Sequence, residues 1–201
     1  MSHQDETVVT YFAKELGRCS KDKLKIKRGR VFDHLGMDVG FESCPGMLSI
    51  SIFKYLSAMI EKWSKELKGH KVTSLGDKRE LLPKETASQS RRTTAQPLFM
   101  CLRDRPDVQT SVSFFTTRVR SPSTDDRKKL WHCMLYLKST LHMKRYLSAD
   151  NLTNLLWWVN GSYGVCWDSK GHTGAMMFVG RGAIAKVSHR HKLNVRSSTE
   201  S

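Results

Sequence analysis

The chain has 201 residues, 39% of them hydrophobic, which is enough for one or two packed domains. Lys and Arg number 34 against 19 Asp and Glu, so the formal charge is +15 and the pI about 9.8, more than solubility requires. That excess points first to a polyanionic partner, nucleic acid, with a solvated basic surface as the alternative. Five cysteines (Cys19, Cys44, Cys101, Cys133, Cys166), odd in number and without C-x-x-C spacing, speak against a disulfide framework and a zinc site.

The N-terminus, MSHQDETVVTYF, lacks a basic-then-apolar signal pattern, and no apolar run approaches the ~18 residues of a membrane span. The expectation is an intracellular protein, cytoplasmic or nuclear, not secreted and without a membrane partner. The N-x-S/T sequons at Asn151 and Asn160 are then chance matches.

Taken in order, Val8, Val9, Phe12 and Leu16 fall on one side at helical spacing, and Gly17 is a suitable stop. The stretch KLKIKRGRVFDHLGMDVGF alternates Leu24 and Ile26 with lysines before Val31 and Phe32, and reads as a β-hairpin with a basic rim. Lys23, Lys25, Lys27, Arg28 and Arg30 lie within eight residues and are the candidate contacts to a phosphate backbone. A lysine-protected edge strand explains the same cluster equally well.

Residues 47–52 alternate again and lead into a helical stripe of Ile52, Leu56, Met59, Ile60, Trp63 and Leu67, closed by Gly69. From His70 to Arg92 the periodicity disappears, which predicts a mobile connection and the best domain boundary. Ala95 to Leu102 is weakly helical, with Pro97 a breaker unless it sits in the first turn. Pro106 suits a first helical position ahead of a stripe of Val108, Val112, Phe115 and Val119. Ser123-x-x-Asp126 reads as a capping box before Leu130, Met134, Leu137 and Leu141.

The C-terminal run LLWWVNGSYGVCWDSKGHTGAMMFVGRGAIAKVSHRHKLNVRSSTES permits two local readings. Val159-Asn160-Gly161-Ser162 is a two-residue hairpin signal, or 155–165 is one strand, kinked or bulged at Asn-Gly. The continuous strand is favoured.

Several segments carry a resemblance to copia-like retrotransposon Pol polyproteins. Arg105-Pro106-Asp107 and Leu135-Tyr136-Leu137-Lys138-Ser139-Thr140 resemble the family's "RPD" and "RYLKGT" segments between polymerase and ribonuclease H. Leu35-Gly36-Met37 resembles its "LGM" primer-grip hairpin, and Lys192-Leu193-Asn194 through Glu200 its "QKLN…SSTEAE" run. These matches follow the family's order and cover nearly the whole chain. They imply an α+β fold: a basic β-hairpin and a small helical thumb/connection unit, then a truncated ribonuclease H-like sheet of three antiparallel strands. The implied divisions are 1–69 (end of the palm, primer-grip hairpin and first thumb helix), 70–92 (flexible connection), 93–145 (helical unit) and 146–201 (ribonuclease H-like part).

The resemblance also implies what is missing. A polymerase needs a Tyr-x-Asp-Asp turn holding two Mg²⁺ ions. The only Asp pair, Asp125-Asp126, sits at a helix start, and in the family the catalytic turn lies just before the segment resembling Met1–Asp5. Ribonuclease H chemistry needs several carboxylates around two metals. The family's first carboxylate position is Asn160, the second is Glu200, a remnant, and the rest would fall beyond 201. At ~4 Å and an effective dielectric of ~20, replacing that first charge forfeits on the order of 8 kcal/mol of attraction to a divalent ion.

Neither Asp168, in a strand connection, nor His189 and His191, on one side of a strand without a third ligand, restores a metal site. No metal or cofactor is therefore expected for the chain alone, although the intact family uses Mg²⁺. The expected function is a catalytically inactive segment of such a polyprotein. The alternatives are a residual module binding an RNA/DNA hybrid, and part of an RNA-directed DNA polymerase/ribonuclease H completed by flanking sequence. Without the family's later parallel strand, Leu155 to Val159 would form an unprotected sheet edge, inviting self-association.

Overall fold

The computed structural model describes residues 5–20, 29–44, 46–67, 81–149, 153–164 and 169–192. The fold is α+β, with five α-helices, a four-stranded and a three-stranded sheet among these residues. Both sheets are wholly antiparallel.

The first helix, α1 (Glu6–Cys19), starts where the Asp5 carboxylate accepts the Thr7 N–H at 2.8 Å. It runs through Gly17, the expected stop, and ends at Ser20. None of its residues is buried, so the stripe of Val8, Phe12 and Leu16 stays open to solvent.

Strands β1 (Val31–His34) and β2 (Met37–Phe41) form a hairpin whose turn, Leu35-Gly36, has positive φ at both residues. That is the turn whose twist matches paired strands. Gly meets it freely, whereas Leu35 adopts it against its Cβ. The expected hairpin is thus present at 31–41. Its basic part, 23–28, lies outside the described residues.

Strand β3 (Met47–Ser51) pairs with β2, and β4 (Arg145–Ser148) with β3. Neither the four-stranded sheet nor β4 was visible in the sequence pattern. RYLS is a short strand with little alternation, and its partner lies almost a hundred residues earlier.

Helix α2 (Phe53–Leu67) buries Leu56, Met59, Ile60 and Trp63, the expected stripe. Helix α3 spans Lys84–Arg103, so residues 84–92, expected as mobile connection, form an ordered helix. Its inward side uses Ala87, Thr93 and Thr94 instead of large apolar residues, which removes the periodic signal. Pro97 lies inside this helix and is fully buried. It withholds one N–H from the ladder, and the surrounding packing overrides the local rule.

A 3₁₀ turn at Pro106–Val108 leads into α4 (Gln109–Arg118). Helix α5 (Thr124–Ser139) begins with the predicted capping box: Ser123 and Asp126 satisfy each other's backbone N–H groups. Leu130, Met134 and Leu137 pack with the α2 stripe and with Met100, Val112 and Phe115 into one core. Trp63 and Trp131 meet there, ring centres 4.8 Å apart.

Strands β5 (Leu156–Ser162), β6 (His172–Phe178) and β7 (Ala183–Arg190) form the second sheet in that order. Asn160-Gly161 is strand interior, and β5 pairs with β6 residue for residue, so the hairpin alternative fails. The bulge expected at Asn-Gly lies instead between Met177 and Phe178, in the β6–β7 pairing.

β5 is an edge strand, with Leu156, Trp157, Trp158 and Val159 each 58–69% exposed. Such an edge, apolar and without a charge, is a template for another chain. Concentration-dependent self-association is the expected behaviour, and Trp157→Lys is expected to raise the monomer fraction in sedimentation velocity. An unchanged distribution would remove the edge as its cause. No helix among the described residues is long and apolar enough to cross a membrane.

Candidate functional site

Register determines what β5 presents to the helical unit. Asn160 pairs with Gly174 and Gly174 with Ser188, so these three positions form one row across the sheet. The neighbouring row is Trp158, Met176 and Lys186, and the row beyond is Ser162, His172 and Arg190. Side chains two residues apart share a face, so all three rows lie on the same side.

That side faces α4. The Ser113 hydroxyl donates to the Ser188 carbonyl at 2.7 Å, and the Ser188 hydroxyl lies 3.4 Å from that of Thr110. His172 Nε2 adds a 2.8 Å bond to the Ser188 hydroxyl. Burial, then the charges of His189 and His191, push His172 below its ordinary value.

Between the start of α4 and these rows is a cleft of about 280 Å³, with Gln109 and Thr110 on one wall and Trp158, Asn160 and Met176 on the other. Gly174 forms its floor, where an added Cβ would meet nothing nearer than 4.0 Å. None of the lining residues is charged.

Asn160, the position of the first carboxylate by resemblance, therefore opens into a cleft with no carboxylate among its described lining residues. Among the described residues no group of three His, Cys, Asp or Glu could hold a metal ion. The donor set does not fit a two-Mg²⁺ centre, which needs several converging carboxylates. His189 and His191 do come together, ring centres 6.4 Å apart, and His191 Nε2 bonds the Thr173 hydroxyl. Glu200, Asp168, Lys23, Lys25, Lys27 and Arg28 lie outside the described residues. Arg30 is exposed ahead of β1, and its carbonyl accepts the Phe41 N–H at 2.7 Å, extending the hairpin.

A second constellation sits where helices and sheets meet. Arg105, 2% exposed, donates from Nη2 to Asp107 and to the Thr140 hydroxyl, both at 2.7 Å, and from Nη1 to the Thr140 carbonyl at 3.0 Å. The Tyr136 hydroxyl donates to the same Asp107 carboxylate at 2.9 Å. Burial works against ionisation of Asp107, but the Arg105 guanidinium prevails and holds it below the ordinary carboxylate range.

Beside this pair, Asp104 accepts the Ile52 N–H at the start of α2, and burial pushes its carboxyl up to about 6. Arg145 of β4 donates to the Arg103 carbonyl at 2.9 Å. Lys186 of β7 reaches the same interior, where burial and then Arg145 lower it to about 8. The buried Cys101 and Cys133 are free thiols, the latter pushed up to about 11 by burial, and so poor nucleophiles.

Neither constellation was read from the sequence. Gln109 and Gly174 carry no motif, and the buried charges come from positions up to 82 residues apart. Of the cleft residues only Asn160 was singled out in the sequence, as the position of a carboxylate by resemblance. Comparison with family models, curated proteins and solved structures returns no match.

Proposed function

We propose that this chain derives from the reverse transcriptase–ribonuclease H part of a copia-like retrotransposon polyprotein, carries no hydrolytic centre of its own, and binds nucleic acid, an RNA/DNA hybrid above all. The observation that supports this reading most is the joining of two family-like segments. Arg105 and Asp107 of the "RPD"-like stretch bond to Tyr136 and Thr140 of the "RYLKGT"-like stretch, so both have one structural reason to be as they are. Asn in place of a carboxylate at position 160 supports a chain without hydrolysis, and the +15 charge supports a polyanionic partner.

Filter binding to a hybrid duplex across a salt series tests the binding. Affinity is expected to fall linearly on a log–log plot, and replacing Lys23, Lys25, Lys27, Arg28 and Arg30 with Gln to flatten the slope by roughly 3–4. No retention at low salt would sink the proposal. Purified protein is expected to leave the hybrid uncut in Mg²⁺, and Asn160→Asp alone to leave it uncut as well, because one restored carboxylate does not make a two-metal site. Cleavage by either protein would overturn the inactive assignment.

A further inference from the structure

We propose that the cleft between α4 and the β5–β6 pair receives one unstacked base of a single-stranded nucleic acid, with Trp158 as stacking platform and the Gln109 and Asn160 amides as hydrogen-bonding groups. The inference rests on the nucleic-acid reading above and adds, beside the hybrid, a single-stranded partner and its contact site.

Gln109 is 6% exposed, lines the cleft, and has a side-chain amide used by none of the hydrogen bonds among the described residues. That amide is not shut away from solvent without a partner, so it meets solvent at the cleft, where a ligand's polar edge can replace water. Asn160, on the opposite wall, is exposed, and its amide is open to a ligand in the same way. Each amide both donates and accepts, the pattern that matches an adjacent donor and acceptor on a base, adenine being the usual partner.

Trp158 is 69% exposed although it lies on the α4-facing side of the sheet. Its indole face is therefore available for stacking, which tolerates any base. Met176 beside it offers a polarisable thioether to a ring. At about 280 Å³ the cleft is at the small end of ligand sites and suits one flat ring system.

Charge separates base from backbone. The lining is neutral whereas the chain as a whole carries +15, so phosphates are left to the basic exterior and the neutral base enters the cleft. A paired and stacked base cannot enter without leaving its helix, so the cleft selects single strands. A purely apolar ligand would leave both amides without partners.

The experiment uses the full chain and fluorescein-labelled oligonucleotides, read by anisotropy at low salt: dA12, and a 12-mer of the same charge with abasic sites throughout. The dA12 strand is expected to bind more tightly than the abasic strand. Trp158→Ala is expected to weaken dA12 by roughly 5- to 100-fold without changing the abasic affinity, and Trp158→Phe to recover part of the loss. Gly174→Leu, which places a side chain on the cleft floor at a strand position with ordinary φ, is expected to abolish the preference while circular dichroism stays unchanged. Equal binding of the two strands by wild type, or a preference that survives Gly174→Leu, would overturn the base site and leave the nucleic-acid reading standing. Failure of both strands and of the hybrid to bind would overturn both.

Discussion

Arg105→Ala is expected to lower the unfolding free energy by about 3–5 kcal/mol, the range for removing one member of a buried charge pair. The guanidinium satisfies three acceptors at once: the Asp107 carboxylate, the Thr140 carbonyl and the Thr140 hydroxyl. Truncation leaves Asp107 facing the cavity without its counter-charge and leaves the end of α5 without a donor. Asp107 keeps some solvent contact, so the loss should fall towards the lower end of the range.

Lysine is not an adequate substitute, since one ammonium on a flexible stem cannot hold the planar, two-sided geometry. Arg105→Met combined with Asp107→Leu should be less damaging than the sum of the single changes, because no uncompensated charge remains. Urea unfolding measures this through the midpoint at unchanged slope. A shift below ~1 kcal/mol for Arg105→Ala would show that the pair is ornamental.

The second large expectation is a dependence of stability on pH that is lowest near neutrality. Burial raises the folded Asp104 carboxyl from 3.8 to about 6. A raised folded value means that its contribution is fully present below pH 3.8 and is lost as pH rises through 6. Lys186 shifts the other way, from 10.5 to about 8, again mainly through burial. Its contribution is fully present above 10.5 and is lost as pH falls through 8.

Between about 6 and 8 both groups are charged in an interior that also holds Arg145 and Arg105. With ~1.4 kcal/mol per pKa unit, each limb amounts to roughly 1–3 kcal/mol. The acid limb should be read above pH 4, because Asp107, held low, begins to lose its own contribution below that. Asp104→Asn, which keeps an acceptor for the Ile52 N–H, should flatten the acid limb only, and Lys186→Met the alkaline limb only. His172, held below its ordinary value, loses stability over the same acid range as pH falls. The acid limb is therefore the difference between wild type and Asp104→Asn in urea midpoints at pH 4.5, 7 and 9.5, and an Asp104→Asn protein with the pH dependence of wild type would refute the assignment.

What the sequence disclosed followed from one physical property, the spacing of large apolar side chains. Ile52 to Trp63 and Leu130 to Leu137 were legible because those stripes face one another across a single core. The capping box at Ser123 was legible because it is local. Residues 84–92 were not, because the small Ala87 alone is buried among those described there, and Thr93 and Thr94 just beyond bury the helix face without looking apolar. Pro97 misled for a related reason, since a rule about the isolated helix gave way to a packed environment.

The site was less legible still. Asn160 could be placed on a strand from its flanks, yet the uncharged cleft around it depends on register with Gly174 and Ser188 and on where α4 lands. Asp104, Arg145 and Lys186 carried no signal of burial in the sequence and Arg105 only a motif, and the tertiary fold brings all four together.

The pairing of β4 with β3 carries a consequence for how the chain reaches this state. Ile50 and Arg145 are register partners, so the first sheet cannot be completed until the helices between them have left the ribosome and packed. Closing so long a span is entropically unfavourable and is recovered only when the helical core holds the two ends together. The β1–β2–β3 meander is therefore synthesised with the β4-facing edge of β3 unpaired, and that edge is covered only once Arg145–Ser148 has emerged.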